Sequence, residues 1–166
     1  MKRIYIFPIV ILVLLTSCSM NQSKSEDKSN TNEFEATTSS LVKIQYIESY
    51  FAIAKPQRPV GLIMDKEQFN ENFSPAKTMS NNITKIDFDT QKVGAIVLPE
   101  TSHNTVILID SVHLKGTTLN VDYTVIRDNE KRSFSIVPAK AFTFDSSLNI
   151  KSATFIDNSD SIKVYL

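Results

Sequence analysis

The sequence predicts an α+β domain, a mainly antiparallel β-sheet with one packed helix, carried behind a signal peptide and a flexible tether. Three observations predict it. After Ser40 the apolar residues recur at every second position and are rich in Val, Ile and aromatic side chains, the pattern of half-buried strands. One segment alone, Lys66 to Phe73, sets its apolar residues at helical spacing, with Phe69 and Phe73 four apart. The first forty residues show neither pattern. They divide at Cys18, which places a signal at 1–17, a tether at 18–40 and a single mostly β domain at 41–166.

The signal comes first. Lys2 and Arg3 precede an apolar run from Ile4 to Leu15 that closes in Leu15-Thr16-Ser17-Cys18. A positive start, a short apolar stretch and small residues before a cleavage point are the parts of a secretory signal. The run is too short to span a hydrocarbon core of about 30 Å, which needs roughly 20 helical residues. Leu15, Thr16, Ser17 and Cys18 resemble, position by position, the lipobox of the bacterial lipoprotein signal peptide. The resemblance implies cleavage between Ser17 and Cys18, a diacylglyceryl thioether on the Cys18 sulfur, and acylation of the new amine by a fatty acid such as palmitate. Buried hydrocarbon contributes about 0.8 kcal/mol per CH₂, so two or three chains would make the membrane anchor effectively permanent. Cys18 is the only cysteine, so neither an intramolecular disulfide nor a thiolate metal cluster can form.

From Ser19 to Ser40 only Met20, Phe34 and Ala36 are apolar. Such a segment cannot bury enough surface to fold, and as a flexible coil it would reach roughly 25 Å, enough to lift a domain clear of lipid head groups. Ser19 stands where an Asp would resemble an inner-membrane retention signal. The expected location is therefore the cell envelope, exported and lipid-anchored, on the outer membrane where the cell has one.

The domain then reads in order. Val42, Ile44 and Tyr46 share one strand face, and Ile47, Ser49, Phe51 and Ile53 take over its phase, so a bulge or bend is expected near Tyr46. Lys55 to Pro59 breaks the strand and Val60 to Met64 returns to the sheet. Asp65 can cap a helix over Lys66 to Phe73, which Pro75 ends and which packs on the sheet through Phe69 and Phe73. Further strands are expected at Val93 to Leu98, Thr105 to Leu114, Thr118 to Ile126, Ser133 to Val137, Ala141 to Phe144, Ile150 to Ile156 and Ile162 to Leu166. Lys115-Gly116-Thr117 and Arg127-Asp128-Asn129-Glu130-Lys131 have the composition of hairpin turns. Leu119, Val121, Tyr123 and Val125 alternate with polar residues, the mark of a sheet with one solvated face.

Composition narrows the function. Eighteen basic residues balance eighteen acidic ones, and the signal would remove Lys2 and Arg3, so no basic patch for nucleic acid is expected. Three glycines leave no room for a phosphate-binding loop, and no cofactor motif appears. His103 and His113 are the only histidines, with no carboxylate or cysteine at a metal-ligand spacing around them, so no metal is expected. No serine sits in a nucleophile elbow. Asp87 and Asp89 flank Phe88 at a spacing that puts both carboxylates on one side of a strand, and an envelope hydrolase would have to be built from them and His103. The one suspicious loop is Pro99-Glu100-Thr101-Ser102-His103-Asn104, polar between two apolar strands, where partners commonly bind.

From Met64 to Phe144 the order of features resembles the PrcB-like C-terminal domain, named for a lipoprotein partner of a spirochaete surface protease complex. The residues that carry it are Asp65-Lys66-Glu67-Gln68-Phe69, Ile86-Asp87-Phe88-Asp89-Thr90-Gln91-Lys92-Val93, Leu119-Asn120-Val121-Asp122-Tyr123 and Phe134-Ser135-Ile136-Val137-Pro138. They cover about half the chain, which lacks the Gly and Tyr of that family in Glu100 to Thr105. The resemblance implies a small domain that binds or stabilises a partner protein, such as a protease-complex component. The expectation is thus a non-enzymatic lipoprotein that binds a protein or an envelope ligand through Glu100, Thr101, Ser102, His103 and Asn104, the alternatives being the hydrolase and a structural envelope spacer.

Overall fold

The run Val93-Gly94-Ala95-Ile96-Val97-Leu98 has no polar residue in either phase, so a strand made from it must be covered on both sides. The computed structural model describes residues 38–76, 83–158 and 160–166, and in it both sides are covered. Ser17, Cys18 and most of the expected tether lie outside the described residues.

In chain order the elements are β1 (Ser39–Leu41), β2 (Gln45–Tyr46), β3 (Tyr50–Ala52), β4 (Val60–Met64), α1 (Lys66–Asn72) and β5 (Phe73–Pro75). There follow β6 (Gln91–Val97), β7 (Thr101–Lys115), β8 (Thr118–Ile136), β9 (Ala139–Asp145), β10 (Ser152–Asp157) and β11 (Asp160–Tyr165). A four-stranded sheet in the order β2-β9-β6-β4 forms the middle layer. Ile63, Ile96, Leu98, Phe142 and Phe144 on one of its faces meet Val112, Leu119, Val121, Ala153 and Phe155 of a five-stranded sheet in the order β1-β7-β8-β10-β11. On its other face Met64, Val93, Ala95, Val97 and Ala141 meet Phe69, Phe73, Ile47 and Ala52, from α1 and the small β3-β5 sheet with its flanking chain. This is the α+β, mainly antiparallel architecture with one packed helix. The structure divides its sheet into two main layers, and pairs β10 with β8 in parallel.

Local chemistry explains the elements. Asp65 accepts from the Gln68 backbone N–H at 3.0 Å while the Gln68 side chain accepts from the Asp65 N–H at 3.2 Å, a reciprocal capping box. The helix stops at Asn72 because the chain ahead of Pro75 turns extended, and Phe73–Pro75 pairs with β3. The Phe69 and Phe73 rings stack at 5.1 Å and seal α1 onto the middle sheet. The bend expected near Tyr46 falls at Ser49, whose φ of 65° turns the chain between β2 and β3.

Three expectations are corrected. Thr118 to Ile126 and Ser133 to Val137 are not two strands around a turn at Arg127 to Lys131. They are one strand, β8, because both parts pair with β7, and the surplus residues are absorbed as bulges: β7 goes from Thr101 to His103 while β8 goes from Ile136 to Lys131. Thr101 to Asn104 is likewise no loop, since these residues begin β7 and only Leu98 to Glu100 connects it to β6. His113 is not at a strand end but inside β7, opposite Asn120 and Leu41.

The layers approach closely enough to exclude a side chain. A Cβ at Gly61 would run into the Phe155 ring, which crosses over from the other sheet, and one at Gly94 into the Phe142 ring beside it. Gly61→Val is therefore expected to cost about 1–3 kcal/mol by overpacking, read from a urea midpoint, and an unchanged midpoint would contradict the packing described. The Thr143 hydroxyl, by contrast, is buried with no hydrogen-bond partner among the described residues. Thr143→Val removes that orphan at constant shape and is expected to raise stability by about 1 kcal/mol in the same measurement.

Candidate functional site

The β7–β8 hairpin is longer than the layer beneath it. Its tight turn, Gly116-Thr117, follows the Lys115–Thr118 pair, and β1 lies against that end, with Ser39 opposite Lys115. The described chain therefore enters the domain beside the turn. The other end of the hairpin, at Thr101 and Ile136, lies fourteen residues of β7 away, about 45 Å of extended chain.

That far end gathers the residues suspected from sequence. Thr101 Oγ1 accepts from the His103 N–H at 3.1 Å, and Thr105 Oγ1 donates to the His103 carbonyl at 3.2 Å, so the two hydroxyls hold the start of β7 against its own backbone. His103 Nδ1 stands 3.3 Å from the Asp128 carbonyl oxygen, a bond the Nδ1-protonated tautomer donates. The Asn104 side-chain NH₂ donates to the Asp128 carboxylate at 2.8 Å, and its oxygen accepts from Arg132, whose guanidinium lies 5.7 Å from the Phe134 ring centre. Glu100 pairs with Lys55 at 3.2 Å across the surface, an exposed contact of little energetic weight. Ser102 is half-buried within β7.

Two features beside this cluster escaped the sequence reading. On the outer face of the five-stranded sheet Val106 and Ile126 are cross-strand partners, with Leu108 one step along; they are 47%, 51% and 45% exposed. The second is an edge. β1 reaches only as far as His113, with one further bond from the Val42 N–H to the Val112 carbonyl, and the Tyr46 hydroxyl donates to the Ile109 carbonyl at 3.4 Å. Among the described residues, β7 from Thr101 to Leu108 has no strand on the side away from β8. A groove of about 230 Å³, lined by Phe51, Thr105, Ile107, Ile136 and Pro138 among others, lies against this stretch. The apolar run Val106 to Ile109 lies in the strand expected at Thr105 to Leu114, but its continuous apolar character does not tell which residues stay exposed, and the open edge depends on where β1 ends.

The residues of the hydrolase alternative are not brought together. Asp87 Oδ1 accepts from the Asp89 N–H at 3.2 Å and Oδ2 from the Thr90 hydroxyl at 2.8 Å, so this carboxylate shapes the turn before β6. His103 follows the opposite end of β6, seven residues on, about 20 Å of strand. Among the described residues no group of three or more His, Cys, Asp or Glu could hold a metal ion. No protein-family model, curated protein or solved structure matches the chain.

A separate cleft lies between β4 and the β10–β11 hairpin, with a volume of about 580 Å³. Pairing puts Tyr123, Asp157 and Asp160 in one row across β8, β10 and β11. Tyr123 is only 3% exposed and belongs to the core between the sheets, while Asp157 is half-buried and Asp160 exposed at the opening of the cleft that all three line. Burial first, then the charges of Asp157 and Asp160, push the Tyr123 hydroxyl above its ordinary 10.0. A raised folded-state pKa contributes stability that is fully present below the unfolded value and is lost as pH rises through the folded one. Urea stability is thus expected to fall above about pH 10, and to fall less in Tyr123→Phe; parallel curves for the two proteins would contradict this environment.

Proposed function

We propose that the mature chain is a non-catalytic lipoprotein, anchored through Cys18, that binds a partner protein at the far end of the β7–β8 hairpin. The observation that carries this reading is the open edge of β7 beside the exposed Val106, Leu108 and Ile126. An uncovered strand offers a row of backbone donors and acceptors, and apolar side chains beside it supply the desolvation that makes an added strand hold. The occupant is an extended segment of another protein, rich in β-branched or aromatic residues, laid along Thr101 to Leu108. The Asn104-Asp128-Arg132 cluster borders it with a polar rim. The chain's own N-terminal segment is an unsuitable occupant, because β1 joins the sheet at the opposite end of β7. Anchored through Cys18, the chain would meet such a partner in the cell envelope. A protease-complex component, as the PrcB-like resemblance implies, is one such partner.

The anchor and the edge are tested separately. Cys18→Ala is expected to block lipid incorporation and release the protein from membranes; unchanged anchoring would remove the lipoprotein reading. A photo-reactive residue placed at Val106 in the membrane-anchored protein is expected to give one discrete adduct in cells. That adduct should weaken about tenfold or more when Leu108→Lys and Ile126→Lys are introduced, while the urea midpoint stays within about 1 kcal/mol of the parent. Adducts unaffected by the two lysines, or an adduct that is a second copy of this chain, would overturn the proposed surface.

A further inference from the structure

The row Tyr123–Asp157–Asp160 is an unusual thing to build into a core-facing sheet. Asp157 and Asp160 are direct cross-strand partners at the mouth of the β10–β11 hairpin, so their Cβ atoms are about 5 Å apart, and like charges so placed repel. Among the described residues neither carboxylate has a basic side chain within ion-pair distance. Asp160 accepts a bond from the Ser161 N–H at 2.8 Å, which leaves most of its acceptor capacity directed elsewhere. Tyr123, almost wholly buried, has no hydrogen bond to its hydroxyl among the described residues and lines the same cleft. Two carboxylates and an unpartnered hydroxyl thus converge on a single space.

From this arrangement we infer a second binding site, distinct from the β7 edge, in which Asp157, Asp160 and Tyr123 hold an organic ammonium group whose hydrocarbon tail lies along the apolar wall of the cleft. Two carboxylates offer several lone pairs, and an ammonium has three donors to spend on them and on the hydroxyl oxygen. Val60, Leu62, Ile162 and Val164 line the rest of the cleft, and its volume lies within the usual range for small-ligand sites. A divalent cation fits less well: among the described residues no group of three or more His, Cys, Asp or Glu could hold one, and the cleft supplies two carboxylates and a protonated phenol.

The other charged groups are accounted for. Lys163 lines the cleft by its backbone position, but its phase on β11 is opposite to that of Asp160, and its Nζ lies over the Tyr165 ring at 5.1 Å. Arg58, in the loop before β4, lines the mouth and is a single cation against two carboxylates. The two carboxylates therefore repel each other without a full complement of cations facing them, and neutralising one should stabilise the ligand-free fold.

The test is calorimetric titration of the full chain in detergent with 1,5-diaminopentane, with 1-pentanol and calcium chloride as parallel titrants. Saturable binding of the diamine in the millimolar range or tighter is expected, with no binding of the alcohol. Asp157→Asn with Asp160→Asn should weaken it about tenfold or more, and Tyr123→Phe severalfold, since each removes a hydrogen bond to a charged group. Without ligand, Asp160→Asn should raise the thermal midpoint, which separates loss of binding from loss of fold. No saturation by the diamine, equal affinity in the asparagine variant, or calcium displacing the diamine at equimolar concentration would each overturn the site. So would a lowered midpoint in Asp160→Asn.

Discussion

Two-sided burial of β6 is the constraint from which the rest of the architecture follows. A strand with no polar phase cannot lie on a surface, so it recruits a sheet on one side and a helix with a small hairpin on the other. The close fit depends on what is missing at Gly61 and Gly94, where aromatic rings from β10 and β9 occupy the space a side chain would take. Phe155 in particular crosses from one sheet to the backbone of the other and fixes their separation. The middle layer is thereby committed wholly to packing. It has little surface left for recognition.

The five-stranded sheet is packed on one face only. Its outer face near the turn is polar and cross-linked by side chains, with Ser111 donating to Asp122 at 2.6 Å and Thr124 to Asp110 at 2.8 Å. Farther along, the same face changes to Val106, Leu108 and Ile126, and the edge of β7 loses its neighbour. The change in surface chemistry and the loss of the neighbouring strand occur together because β1 is only three residues long and its chain then leaves for the middle sheet to form β2. The Tyr123 cleft has a comparable origin. The β10–β11 hairpin runs past the covered part of the core, so the inward phase that places Phe155 in the core places Asp157 at an opening.

What the residues themselves announce is local. Asp65 and Gln68 announce the start of α1 because a capping box is complete within four residues, and the Val60–Met64 strand is bounded by Pro59 and Asp65. The misreadings are equally specific. Arg127 to Lys131 has the composition of a turn, yet a polar stretch in a solvated strand end looks the same, and pairing with β7 decides between them. Thr101 to Asn104 is polar for the same reason, being strand that runs beyond the middle layer.

By itself the sequence determined the class of the fold, the place and cap of its helix and the inward phase of Tyr123. These depend on periodicity, composition and contacts within a few residues. Tertiary structure alone decided which elements cover β6, that β7 keeps an open edge, and that Tyr123 meets Asp157 and Asp160. Those facts belong to pairings between segments thirty or more residues apart, which are set by where neighbouring strands end and by which rings can lie on which backbone. No local pattern encodes them.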